Sequence, residues 1–242
     1  MNTDKKQALS VHLKAIRRML IVSVASVAVL FVLFFHLLCG PLVDFVLAPV
    51  RARGIEVITT SVSEALMMQF KVCLIAAVIA GMPVIIWQVW VFVAPALYPQ
   101  EKRLFAALFF VALLLFVGGV IFCYCLVFPM AIDLFWSAAD GVASTLWSVK
   151  EYFNFVLSFV LPFGLMFELP VVVYMLARRG LVTYQKLAHS RKYVILVIAI
   201  IAAILTPPDA VSQCMLAIPM ILLYEVAAQL ARLVKPKKPA EA

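Results

Sequence analysis

The chain has 242 residues, of which 66% are hydrophobic and 13% charged, with a formal net charge of +8. A soluble globule of this size could not hide that much apolar surface, and disordered chains are poor in large apolar residues. Long unbroken apolar runs also exclude a transmembrane β-barrel, whose strands alternate in polarity over about ten residues, and leave an all-α polytopic membrane protein.

Six apolar runs follow in chain order. The first, Met19–Leu38, comes after Lys14, Arg17 and Arg18. It exceeds the roughly 7–15 residues of a signal-peptide core and lacks a convincing cleavage site, so it reads as a retained span. The second is Val72–Val93, and the third is Leu104–Phe128, expected to close at Pro129. The fourth is Tyr152–Ala177, the fifth Tyr193–Leu205, and the sixth Val211–Leu230, interrupted by Pro219 and Glu225. Spanning needs about 20 residues, and the fifth run would reach only about 20 Å as a helix. A re-entrant segment is one reading of it. The rigid turn Thr206-Pro207-Pro208-Asp209 and the apolar run after it favour two short spans in a locally thinned bilayer. The expected layout is a cytoplasmic N-terminus over 1–18, a six-helix domain over 19–232 and a short basic tail over 233–242, expected to be disordered.

Loop charge sets the orientation. Sixteen of the 20 Lys and Arg residues fall in the N-terminus, the second and fourth loops and the C-terminus, and four fall in the alternate loops. Positive charge is retained inside, so both termini are expected in the cytoplasm. The net charge is then a topology signal and implies no nucleic acid. Trp136 and Trp147 flank Gly141 in an outside loop and suit an interfacial cap.

The pattern for an intramembrane enzyme is absent: there is no Ser/His pair, H-E-x-x-H or aspartate pair at membrane depth, and no Gly-rich phosphate loop. No cofactor is expected. The cysteines Cys39, Cys73, Cys123, Cys125 and Cys214 are odd in number and form no C-x-x-C, so they read as small membrane-helix residues. The polar residues within spans are costly and therefore informative. Glu168 lies between Pro162 and Pro170, which bend the fourth span and free backbone carbonyls. It either faces a groove or bonds a neighbouring helix as the neutral acid. Gln88 stands between Trp87 and Trp90, at the site of an aromatic belt or a functional polar group. Glu225 is expected to snorkel toward the cytoplasm. Glu101 could be an ordinary helix-start acid.

The stretch Pro83-x-x-x-x-Gln88-x-Trp90-x-Phe92-x-x-Pro95-Ala96-Leu97-Tyr98-x-x-Glu101-x-Arg103 resembles the signature of the TatC family, the core membrane subunit of the twin-arginine protein translocase. Further motifs keep the family order: His12-Leu13 with Arg17, Ala48-Pro49, Phe128-Pro129, Phe167-Glu168-Leu169-Pro170, Leu205-Thr206-Pro207-Pro208-Asp209-x-x-Ser212-Gln213, and Ala217-Ile218-Pro219-Met220. The resemblance extends from about residue 11 to 232.

It implies a concave, glove-like six-helix bundle with short fifth and sixth helices, in the inner membrane. It also implies recognition of twin-arginine signal peptides on folded cargo, partnership with TatA and TatB or a bifunctional TatA-like protein, self-association in a receptor complex, and use of the proton-motive force. By resemblance, Glu101, Arg17, Phe92, Leu97 and Tyr98 form the signal-peptide site. Glu168 and Gln88 are intramembrane polar residues, and Thr206 and Gln213 dock partner helices. Pro49, Tyr124 and Asp209 match family positions and are expected to be structural or functional loop residues. One departure stands out: where the family usually carries an acid two positions after His-Leu, this chain has Ala15, preceded by Lys14. Either Glu101 suffices alone, or Asp4 supplies the second carboxylate, or arginine recognition is weaker. A six-span secondary transporter is the alternative function. It would predict an inverted repeat and several mid-membrane polar residues.

Overall fold

The computed structural model describes residues 3–93, 102–139, 146–206 and 209–234, with side chains described over 13–91, 106–138, 146–206 and 209–234. The elements are α1 (Thr3–Leu37), α2 (Cys39–Arg51), β1 (Val57–Ile58), α3 (Glu64–Val93), α4 (Lys102–Phe122), a π-helical turn (Cys123–Val127), α5 (Phe128–Ala139), β2 (Trp147–Ser148), α6 (Val149–Met166), α7 (Leu169–Arg178), α8 (Tyr184–Leu205) and α9 (Ala210–Leu233). Among the described residues six stretches are long and apolar enough to cross a membrane: Leu13–Leu37, Glu64–Val91, Ala106–Ala138, Val149–Arg178, Tyr184–Leu205 and Ala210–Leu233. The six expected spans are all present. The chain divides into two compact units, Met1–Val46 with Ser61–Leu113 and Leu47–Thr60 with Leu114–Ala242.

In the first unit α1 packs along α3. In lipid the association of two apolar helices rests on close van der Waals contact, so small residues matter where they cross. Gly81 is such a point: a Cβ there would lie 3.2 Å from Val27 Cγ2. Farther along the pair, Phe35 stacks on Phe70 at 4.8 Å and Phe31 on the same ring at 6.0 Å. Val24, Val29 and Leu37 point outward, as lipid-facing residues do. Helix α1 begins at Thr3, so it runs unbroken through the boundary placed at residue 18.

The second unit is built around aromatic side chains. Phe116, Phe128, Phe153, Phe159 and Phe163 are fully buried. Two glycines bring the second half of α4 against α6 and its end. A Cβ on Gly119 would meet the Phe163 carbonyl oxygen at 2.8 Å and the Phe167 ring at 2.9 Å, and one on Gly164 would meet the Phe116 ring at 2.5 Å. Alanines do the same work between α7 and α9, where Val173, Ala177, Ala227 and Ala231 form a tight cluster.

Three expectations are corrected. Pro129 does not close the third span, which continues to Ala139. In the turn ahead of it the Phe128 N–H donates to the Cys123 carbonyl, five residues back, and this wide turn carries the helix past a residue that has no N–H of its own. The segment between the first two spans is not all loop, since α2 occupies Cys39–Arg51. The fifth helix starts at Tyr184, nine residues before its apolar run, because Thr183 caps it by accepting from the Lys186 N–H at 3.4 Å. At 22 and 24 residues the fifth and sixth spans are still the shortest of the six.

Candidate functional site

The fourth span is broken where its polar residue sits. Helix α6 ends at Met166 and α7 begins at Leu169, with Pro170 in the first turn of the second piece. Proline is favoured there because its missing N–H would be unpaired in any case. Glu168 forms the joint. Its N–H donates to the Leu165 carbonyl at 3.1 Å, and its own carbonyl accepts from the Val171 and Val172 N–H groups, both at 3.1 Å. The backbone of the joint is therefore satisfied. The side chain is not: it makes no capping bond to α7, and its Oε1 is buried without a hydrogen-bond partner among the described residues. A buried polar atom in this condition is costly, and it leaves an acceptor available to an incoming donor. Glu168 is thus held at a helix break, and no bond to a neighbouring helix occupies Oε1.

The joint is held from the side by α4. Gly119 lies against Phe163 and Phe167, and Phe122 contacts Phe163 and Phe167 with ring centroids 5.8 and 5.6 Å apart. The residue before Glu168 is therefore wedged between a glycine and an aromatic ring.

The fifth and sixth spans bring Thr206, Asp209 and Gln213 together at one end of their hairpin. Asp209 caps α9 by accepting from the Ser212 N–H at 2.6 Å. Thr206 is buried, and its hydroxyl donates to the Ala202 carbonyl at 2.9 Å. The Gln213 side-chain amide donates to the Ala199 carbonyl at 3.0 Å and ties α9 to α8. All three side chains are thus engaged within the hairpin. At its other end, Arg191 forms an ion pair with Glu225, which also accepts from the Gln229 amide at 3.0 Å. The Tyr224 hydroxyl reaches the Leu187 carbonyl at 2.8 Å. Glu225, expected to snorkel, stays about 40% exposed while pairing with a cation on the facing helix.

Pro49 belongs to the last turn of α2 and not to a loop. Its carbonyl accepts from Arg53 Nη1 at 2.9 Å. The same guanidinium forks onto Asp133, with Nε to Oδ1 at 2.6 Å and Nη2 to Oδ2 at 3.1 Å. Hydrogen bonding to Asp133 and its charge raise the Arg53 pKa above its ordinary value. Nearby, β1 pairs in parallel with β2, Val57 opposite Trp147. The sequence carried no sign of the Arg53–Asp133 fork, since its partners lie 80 residues apart. Tyr124 lies in the π-helical turn within the third span, edge-on to Phe128 at 6.1 Å.

On the expected cytoplasmic face, Arg17 is exposed on α1. Glu101, Leu97 and Tyr98 lie outside the described residues, as does the Phe92 side chain. Gln88 is half-buried; its neighbour Trp87 packs edge-on against Phe109 at 5.4 Å, and Trp90 is buried. An interfacial belt therefore accounts for Trp87 but not for Trp90. Among the described residues no group of three or more His, Cys, Asp or Glu side chains could hold a metal.

A family model described as Sec-independent protein translocase protein (TatC) matches residues 11–219. The chain is 37% identical to the TatC protein of Carboxydothermus hydrogenoformans over 236 residues, covering 97% of each. It is 35% identical to that of Haemophilus influenzae over 239 residues, covering 98% of this chain and 93% of the relative. Among solved structures, the crystal structure of the twin-arginine translocase receptor TatC aligns with a TM-score of 0.86 at 36% identity, covering 92% of this chain and 98% of that one.

Proposed function

This chain belongs to the TatC family of Sec-independent protein translocase proteins, and on that premise we propose that it is a multi-pass membrane receptor for twin-arginine signal peptides and the core scaffold for exporting folded cargo. The observation that carries this reading is the near-full-length likeness, at 36% identity, to the solved twin-arginine translocase receptor. The secondary-transporter alternative finds no support in these relatives.

The ligand chemistry follows from two adjacent guanidinium groups, which call for fixed carboxylates able to accept paired hydrogen bonds. Glu101 is the carboxylate assigned to that task, with Arg17, Phe92, Leu97 and Tyr98 around it. Ala15 leaves the second acidic position of the family empty. The bias of sixteen cations to four supports an inner-membrane protein with both termini in the cytoplasm. The six-helix domain over 19–232 then carries the function, between the cytoplasmic segment 1–18 and the tail 233–242. TatA and TatB, or one bifunctional TatA-like protein, are the partner helices, further copies of this chain complete the receptor complex, and the proton-motive force drives export. The unpartnered carboxyl oxygen of Glu168 supports a role in accepting a polar side chain from a partner or from the signal hairpin. Thr206 and Gln213 bond within their own hairpin, which supports a docking surface held rigid by those bonds.

Site-specific crosslinking of a twin-arginine signal peptide tests the reading. Glu101→Ala is expected to abolish the crosslink and export, and Ala15→Glu to strengthen the crosslink. Unchanged crosslinking and export in Glu101→Ala would remove Glu101 from the site. In the same system, partner crosslinks near Glu168 that persist unaltered in Glu168→Ala would remove that residue's proposed role.

A further inference from the structure

The second unit gathers positive charge at one end of its helices. Arg178 and Arg179 close α7, Lys186, Arg191 and Lys192 lie on the first half of α8, and Arg232 lies on the last turn of α9. Among the described residues at this end the one carboxylate is Glu225, and it is already engaged by Arg191 and the Gln229 amide. Two of the cations converge on a single ring. The Arg191 guanidinium lies over the Tyr184 ring at 6.0 Å, and that of Arg232 over the same ring at 5.8 Å. The Tyr184 hydroxyl also accepts from Arg191 Nη2 at 3.4 Å. Side chains on a helix tilt toward its N-terminus, and α8 and α9 run in opposite directions, so the two arginines approach the ring from opposite sides along the pair. Glu225 balances Arg191, whereas Arg232 has no carboxylate partner among the described residues. The cluster stands just beyond the apolar run that opens at Tyr193, where Lys192 Nζ lies over the Tyr193 ring at 5.1 Å. Tyrosine and cations together mark the headgroup level of a bilayer. Exposed apolar side chains continue from there along both helices: Tyr193, Leu196 and Ile200 on α8, Leu222 and Val226 on α9.

We propose that Arg191, Arg232 and Tyr184 form a binding site for the headgroup phosphate of an anionic glycerophospholipid, whose acyl chains lie on the exposed apolar faces of α8 and α9. Arg232 supplies the free guanidinium fork, which fits two oxygens of a phosphodiester. The Tyr184 ring holds both guanidinium groups near one point, and Glu225 fixes Arg191 there. Basic clusters at helix ends on one side of a membrane suit acidic headgroups. A zwitterionic lipid brings its own cation into the excess of positive charge and is disfavoured. An acidic protein segment would answer the charge but would leave the apolar side chains beneath it uncovered, so the lipid fits better. The site requires only that α8 and α9 span the membrane. The proposed topology adds that the leaflet is the inner one, and the site stands apart from signal-peptide recognition.

The test is native mass spectrometry of the full-length protein in detergent micelles, titrated with equal amounts of dioleoylphosphatidylglycerol and dioleoylphosphatidylcholine. The expected result is a preference for the phosphatidylglycerol adduct that falls about fivefold in Arg232→Gln and is kept in Lys14→Gln, which removes a cation from the other unit. Arg232 is exposed, so its replacement leaves the fold intact, and an unchanged circular dichroism spectrum checks this. Equal binding of the two lipids by the unaltered protein, an undiminished preference in Arg232→Gln, or an equal fall in Lys14→Gln would overturn the site. Excess inorganic phosphate should leave the lipid in place, because it lacks the acyl chains. Displacement by phosphate would assign the cluster to a free anion, and displacement by polyglutamate would assign it to an acidic protein segment; either would overturn the lipid.

Discussion

The adjacent glycines Gly118 and Gly119 allow the packing around Glu168 to be tested by one methyl group at a time. Both lie in α4, and replacing either by alanine brings the same intrinsic helix gain, up to about 1 kcal/mol. Their surroundings differ. A Cβ on Gly118 meets nothing within 4 Å, whereas one on Gly119 comes within 2.8 Å of the Phe163 carbonyl oxygen and 2.9 Å of the Phe167 ring. The carbonyl is backbone, and the Phe167 ring is backed by Phe122, so neither yields without moving a helix. Overpacking of this kind costs about 1–3 kcal/mol. Because the propensity gain is common to both, the difference between the variants isolates the contact. Gly119→Ala should be about 2 kcal/mol less stable than Gly118→Ala, a factor of about 30 in the unfolding equilibrium constant. The assay is reversible unfolding in mixed micelles followed by tryptophan fluorescence. If the two variants fall within about 0.5 kcal/mol of each other, the close contact of Gly119 with Phe163 and Phe167 is wrong. Phe167 directly precedes Glu168, so Gly119→Ala should also shift partner crosslinks at Glu168 while Gly118→Ala leaves them in place.

Asp209→Ala removes the cap of α9 and should cost about 1 kcal/mol in the same unfolding assay. Asp209→Ser should keep most of it, and equal losses in the two variants would show that the bond to the Ser212 N–H does not matter. The Arg191–Glu225 pair is about 40% exposed on both sides, so its coupling should be modest, about 0.5–1 kcal/mol. Arg191→Glu and Glu225→Arg should each destabilise, and the double exchange should recover stability. Strict additivity across that cycle would refute the pairing.

Much of the molecule was legible because a membrane helix announces itself locally. A run of twenty predominantly apolar residues such as the one after Arg18 can do little else but span. Helix ends were less legible. Tyr184–Lys192 looked like loop because it is polar, yet it continues α8 from a threonine cap. Pro129 looked like a stop because proline usually is one, and the π-helical turn before it removes the conflict. For the candidate site, the sequence singled out Glu168 through its two prolines. It offered no means of telling whether the carboxyl was bonded or waiting, since that depends on which neighbours fold against it.

Hydropathy and loop charge are sums over nearby residues, so the amino-acid sequence by itself determined the membrane class and the six spans, and its ordered motifs determined the family. Contacts between distant side chains are not sums of local terms. The fork of Arg53 on Asp133, the clamp of Arg191 on Glu225 and the stack of Phe35 on Phe70 join residues dozens of positions apart. Each exists only because particular helix faces pack together, so only the tertiary structure decided them.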